Sequence, residues 1–249
     1  MAKDATLDLT SFDEFLTHWA KERPDGIALV YGERLTTYAE ADSLTRQLVS
    51  FLKAQGIAEG DRFAYLGKNT DRYFLLLYAA GRMGAVIAPV GWRLAPREIG
   101  YILSDTGSKL LIAEADFLVT AKAVAQGMDT GPEVFDAAEA FTVASTMEPA
   151  EGAPPDPQAT ILQLYTSGTT GNPKGAQLSN HNLFGLRKAS VEADLPWQKF
   201  EPTDCVLGAM PIAHIGGTGT APIALGNGIR IQILPEFSPL GALEAIEGG

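Results

Sequence analysis

"ATILQLYTSGTTGNPKGAQLS", residues 159–179, joins an apolar strand-like run to a glycine-rich loop and then to a second extended run. Five hydroxyls, on Tyr165, Thr166, Ser167, Thr169 and Thr170, surround Gly168, Gly171 and Gly175, with Lys174 as the single charge. Glycines let backbone N–H groups converge on an anion, hydroxyls add donors, and a lysine supplies a point charge for phosphate. The loop is the outline of a triphosphate cradle, placed at a strand's carboxyl end, where α/β sheets bind ligands. An exposed Ser/Gly hinge would account for the glycines and hydroxyls, but not for the strand leading in or for the lysine.

Working outward from the loop, strands alternate with helices. Ser11 opens a first helix, "IALVYGERLTTY" reads as a hairpin about Gly32 and Glu33, and Thr37 with Glu40 makes a capping box for a helix closed by Gly56. Strand "RFAYLG", helix "DRYFLLLYAAGRMG", strand "AVIAPV", helix "PREIGYILSDTG" and strand "SKLLIAEA" follow. This order predicts an α/β layered fold of mostly parallel sheets flanked by helices. From Asp116 the pattern weakens, and "MEPAEGAPPDPQ", residues 147–158, reads as a Pro/Gly/acidic linker. The expected organisation is therefore one α/β subdomain over 1–146 and the start of a second, similar one over 159–249. In the latter, Ser179 caps a helix "NHNLFGLRKASVEAD", strands "CVLGAMPI" and "GIRIQILPEF" follow, and "SPLGALEAIEGG" is a last helix.

The totals exclude several classes. A formal net charge of -11, from 19 basic and 30 acidic residues, argues against nucleic acid or an anionic membrane as partner, since both need clustered Lys and Arg. The one cysteine, Cys205, forms no internal disulfide and reads as a buried strand residue in a reducing compartment. No basic-then-apolar leader opens the chain, and "YFLLLYAA" is too short to span a bilayer, so a cytoplasmic protein without an integral membrane segment is expected.

A kinase-type phosphate loop, G-x-x-x-x-G-K-[ST], is the nearest competitor. Counted from Gly168 it finds Lys174 in place, but Pro173 stands where the second glycine belongs and Gly175 where the magnesium-binding hydroxyl belongs. "LYTSGTTGNPKG" instead resembles the signature loop of the acyl-adenylate-forming superfamily, which includes acyl- and aryl-CoA synthetases, luciferase and peptide-synthetase adenylation domains. "LTTYAEADSLTRQLVSFLKAQGIAEGDRFAYLGKNT", "AAGRMGAVIAPVGWRLAPREIGYILSDTGSKLLI" and "MPIAHIGG" resemble further stretches of that family in the same order.

The resemblance implies a carboxylic acid substrate activated by ATP, with Mg2+, to an acyl-adenylate and pyrophosphate, and then transfer to a thiol, usually coenzyme A. It assigns Thr166, Ser167, Gly168, Thr169, Thr170, Gly171 and Lys174 to the pyrophosphate end of ATP. It places His214 beside the acyl and thiol channel as a substrate-positioning group; a capped loop histidine is the competing reading. Gly216 and Gly217 would leave room for an acyl chain or simply form a turn, and Trp92 and Arg93 read as structural.

Departures are Asn180, where the family has serine in a Ser-His pair, and Gly91, where asparagine is common. The adenine-contacting "YGxTE" motif with its magnesium-binding Glu, a ribose-binding Asp, the hinge and a mobile catalytic lysine do not occur. The expectation is an N-terminal fragment of a carboxylate–CoA ligase, inactive alone, with a homodimer left open. The alternatives are a non-catalytic nucleotide- or partner-binding module on the same fold, or another adenylate-forming enzyme.

Overall fold

The computed structural model describes residues 6–152, 156–166, 172–196 and 199–248. Side-chain caps start the early helices as their sequences dictate. Ser11 accepts the Glu14 amide ahead of α1 (Phe12–Glu22), and β1 (Ile27–Tyr31) turns back as β2 (Arg34–Thr37). Thr37 and Glu40 then close a reciprocal cap on α2 (Tyr38–Ala54). β3 (Arg62–Leu66), α3 (Asp71–Met83), β4 (Val86–Val90), α4 (Pro96–Thr106) and β5 (Leu110–Ala113) alternate as expected. The stretch without a clear pattern is ordered too, as α5 (Leu118–Gln126), β6 (Glu133–Asp136) and α6 (Ala137–Ala144). Then come β7 (Thr160–Thr166), β8 (Lys174–Ser179), α7 (Asn180–Glu192), β9 (Cys205–Gly208), the single turn α8 (Ile215–Thr218), α9 (Thr220–Asn227), β10 (Arg230–Ile233) and α10 (Pro239–Glu247).

Among the described residues the strands form two sheets, ordered β6-β5-β3-β4-β7-β8 and β2-β1-β10-β9. Pairing is parallel except at one edge of each, where β7/β8 and β1/β2 are antiparallel hairpins. The α/β layered class holds, but the strands do not sort by the expected division at 147–158. Leu29 of β1 pairs with Ile231 of β10, while β7, from beyond the linker, pairs with β4. Each sheet thus draws strands from both sides of that segment, because a hairpin and a later strand each need a neighbour to satisfy their open edges.

α3 explains why "YFLLLYAA" is apolar all round: it packs against α1 and α2 and touches strands of both sheets, and such a helix belongs in a core. Its Arg82 is fully buried and is held by Asp42 at 2.6 Å and Asp13 at 3.1 Å. The acidic linker is docked in its described first part. Ser50 donates to the Glu148 carbonyl at 2.6 Å, the Ala150 amide donates to the Arg46 carbonyl at 3.2 Å, and Glu151 pairs with Arg46 at 2.8 Å. Cys205 is exposed, contrary to the buried position expected for it, because β9 is the outer strand of its sheet and Cys205 is its first residue.

Candidate functional site

β7 and β8 are the two arms of a hairpin whose tip is the glycine loop. Their register sets Thr166 opposite Lys174 and Tyr165 opposite Gly175. Directly opposed residues on antiparallel strands have Cβ atoms about 5 Å apart, so the exposed Thr166 and Lys174 stand side by side at the loop's mouth. Ser167, Gly168, Thr169, Thr170 and Gly171 lie outside the described residues. The extended run expected after the loop is the strand β8, and the helix α7 follows it behind Ser179. Because β4 runs parallel to β7, with Ile87 beside Leu162, the carboxyl ends of both strands reach the same sheet edge.

Tyr165 does not offer its hydroxyl to a ligand. Its ring is buried, and its OH donates to the Asp105 carboxylate at 2.5 Å while accepting from Gln163 Nε2 at 2.9 Å. Gln163 in turn accepts from Arg62 Nε at 3.1 Å. Burial, then the hydrogen bond to Asp105, hold the Tyr165 phenol well above its ordinary range, so it stays a neutral donor. Both side chains cross over Gly175, where an added Cβ would meet Gln163 Nε2 and lie 2.9 Å from the Tyr165 ring. This close approach is what requires glycine there.

The second predicted residue, His214, sits at the N-cap of α8 with an exposed side chain that makes no capping hydrogen bond. It lines a cleft of about 130 Å3 with Gly67, Val90, Trp92, Leu94 and Ile212, at the carboxyl ends of β3, β4 and β9. The backbone carrying it is fixed from below. Thr218 donates to the Ile212 carbonyl at 2.6 Å and is hydrogen-bonded at 2.6 Å to Tyr73 of α3, whose phenol burial pushes up. A Cβ on Gly217 would collide with the Met210 and Pro211 carbonyl oxygens, whereas one on Gly216 would meet nothing nearer than 3.8 Å. Gly217 is thus a packing requirement, and only Gly216 leaves open space.

Neither Asn69 nor the pairing of Lys68 with Glu236 was singled out in the sequence. Asn69, 3% exposed, joins the edges of both sheets: its Nδ2 donates to the Met210 and Leu234 carbonyls at 3.1 and 3.0 Å, and its Oδ1 accepts from the Ile212 amide at 3.1 Å. It stands between strand β3 and the cap Thr70, where no periodicity marks it. Beside it Trp92 lies under Lys68 and Arg93, 4.9 and 4.2 Å from its ring centre, and Glu236 binds both cations at 2.6 and 3.1 Å. The hydrogen bond from Lys68 holds the Glu236 carboxyl below its ordinary range. Trp92 and Arg93, read as structural in the sequence, form one wall of a second cleft of about 360 Å3 with Met210, Pro235 and Phe237. Asn180 is buried and donates to the Asp156 carbonyl at 3.2 Å, which ties α7 to the segment before β7.

The profile of the AMP-binding enzyme family matches residues 16–248. The chain belongs to the AMP-binding enzyme family. Its family relatives include fatty acid–[acyl-carrier-protein] ligase ScoC of Streptomyces coeruleorubidus, 33% identical over 235 residues, which are 91% of this chain and 44% of that protein. Indoleacetate–CoA ligase of Aromatoleum aromaticum is 32% identical over 244 residues, covering 94% of this chain and 47% of that protein. Among solved structures, o-succinylbenzoate CoA synthetase of Bacillus subtilis, in complex with its acyl-adenylate intermediate, superposes with a TM-score of 0.79 at 26% identity over 94% of this chain and 59% of that one. The N-terminal domain of FACL13 from Mycobacterium tuberculosis gives 0.84 at 25% identity over 96% and 60%. This AMP-binding family chain spans less than half the length of the two curated relatives named. Among its described residues no helix is long and apolar enough to cross a membrane.

Proposed function

We propose that the chain is the N-terminal part of an ATP-dependent carboxylic acid–CoA ligase. The observation that carries this reading is the β7–β8 hairpin, which sets Thr166 against Lys174 at the same sheet edge as the His214 cleft, in a chain of the AMP-binding family. In the first step a substrate carboxylate oxygen attacks the α-phosphorus of ATP, the bond to the β-phosphate oxygen breaks, and pyrophosphate leaves. In the second a thiol sulfur attacks the acyl carbon and AMP leaves. Neither step asks a side chain to form a covalent bond; what is needed is restraint of the leaving phosphates, cancellation of their charge and alignment of the carboxylate.

Lys174 supplies the charge and Thr166 a hydroxyl donor, sharing the pyrophosphate end with Ser167, Gly168, Thr169, Thr170 and Gly171. His214 positions the acid in the cleft. The described residues bring together no group of three His, Cys, Asp or Glu suited to a metal ion, so none is assigned to magnesium and no step is derived through it. The acid is a small-molecule carboxylate, aryl or fatty, as the names of the relatives suggest. Coenzyme A is the proposed thiol; similarity to a ligase that acts on an acyl carrier protein supports such a protein as a second acceptor.

The test is exchange of labelled pyrophosphate into ATP by the longer protein that contains this chain, across a panel of fatty and aromatic acids. Carboxylate-dependent exchange with AMP as product is expected, and ADP as product overturns the reading. The 249-residue polypeptide alone is expected to release no pyrophosphate, since the motifs that would contact adenine, ribose and magnesium do not occur in it. Carboxylate-dependent release that follows the polypeptide through purification would contradict this.

A further inference from the structure

Both arms of the hairpin are held by a single helix. α4 buries Ile99, Ile102, Leu103 and Thr106 and turns Tyr101 and Asp105 towards the hairpin, four residues apart and so on one face. Asp105 takes the hydroxyl of Tyr165, the residue before Thr166 on the β7 arm, at 2.5 Å. Tyr101 donates its hydroxyl to the carbonyl of Pro173, the residue before Lys174 on the β8 arm, at 3.2 Å. Each contact therefore sits one residue from the group that faces the loop's mouth. The second contact matters because β8 is the outer strand of its sheet and has a strand neighbour on one side only.

The first contact is the end of a chain of groups. Arg62 donates to Gln163, Gln163 to Tyr165 and Tyr165 to Asp105, so a guanidinium and a carboxylate polarise the amide and phenol between them. Gly175, opposite Tyr165, leaves this chain the space it occupies. We propose that α4 is the positioning element of a polyphosphate site at this hairpin, with Asp105 acting through Tyr165 and Tyr101 acting through the Pro173 carbonyl to hold Thr166 and Lys174 in the opposition that the anion needs. Tyr101, Asp105 and Tyr165 are positioning residues, since their polar groups are engaged with one another and with the Pro173 carbonyl. The inference rests on the reading of the hairpin as phosphate-binding.

The probe is inorganic pyrophosphate, titrated into the 249-residue polypeptide and followed by 31P NMR, which reads millimolar affinities. Tyr165→Phe, Asp105→Asn and Tyr101→Phe should each weaken binding about two- to tenfold, the fold-change of one net hydrogen bond. Tyr101→Phe removes one hydroxyl from a half-buried side chain and keeps the test alive if Tyr165→Phe fails to fold. In a Lys174→Ala background, Tyr101→Phe should cost little more affinity, because the group it positions is gone, and Tyr165→Phe should lose its effect likewise in a Thr166→Ala background. Unchanged affinity in the single variants, or a Tyr101→Phe loss that is the same with and without Lys174, overturns the positioning role alone. A wild-type polypeptide that melts cooperatively but does not bind pyrophosphate overturns the phosphate reading, and the inference with it.

Discussion

Replacing Asn69 by alanine should cost a large share of the chain's stability. Three hydrogen bonds go at once: two donated by Nδ2 to Met210 and Leu234, and one accepted by Oδ1 from Ile212. At about 1 kcal/mol net for each, their loss is about 3 kcal/mol. The Ile212 amide is left buried without a partner, which adds about 1–2 kcal/mol. The sum, about 4–5 kcal/mol, is a large part of the roughly 5–15 kcal/mol that stabilises a typical domain. Urea unfolding followed by far-UV circular dichroism measures it, with an unchanged slope showing that the unfolded state is the same. Asn69→Asp separates chemistry from shape: the carboxylate still accepts from Ile212 but faces two carbonyl oxygens, so it too should destabilise near neutral pH. A loss below about 1 kcal/mol in Asn69→Ala would refute the claim that this side chain fastens the two sheet edges.

Gly217→Ala should lose about 1–3 kcal/mol through its collision with the Met210 and Pro211 carbonyls, and Gly216→Ala less than about 0.5 kcal/mol; equal melting points for the two would contradict the packing described. Lys174→Ala should weaken pyrophosphate binding about tenfold or more, from about 1.5–3 kcal/mol for a charge-assisted contact, and wild-type affinity in that variant would remove Lys174 from the site. Burial holds the phenols of Tyr38, Tyr65, Tyr73 and Tyr78 above their ordinary range. The folded chain thus keeps these protons longer than the unfolded one, so the stability these phenols contribute should be level below about pH 10 and fall as pH rises beyond it. A melting temperature that does not drop between neutral and strongly alkaline pH counts against that burial. Cys205, exposed on β9, should react with Ellman's reagent in the native protein about as fast as in urea; protection of the thiol would show that the edge is covered.

Local signals were legible wherever one residue settles one backbone group. Thr37 with Glu40 and Ser179 before α7 cap their helices as read, and the alternation from β3 to β5 announced parallel pairing. The stretch after Asp116 was not legible because α5 buries only Ala121 and Ala125 while Val119 is 83% exposed, which blurs the helical period. β6 is a four-residue outer strand with no buried residue to mark its register. Partnership between β1 and β10 could not be read, since pairing at that separation leaves no local trace. At the candidate site, the loop and its lysine stood out by composition. Asn69, Tyr101 and Asp105 did not, because their roles come from what distant elements bring to them.

The pairing of Leu29 with Ile231 also sets a schedule for the ribosome. The β1–β2 ribbon leaves the exit tunnel early, and a two-stranded ribbon has little stability of its own. Its inner neighbour, β10, is made about 200 residues later, a delay of roughly 10–40 s at 5–20 residues per second. Through that interval β1 presents an open apolar edge, while β3, β4 and β5, contiguous in the chain, already have one another. The larger sheet is therefore the natural first structure. The smaller one closes late, and the β1 edge is the place where a nascent chain would first call on a chaperone.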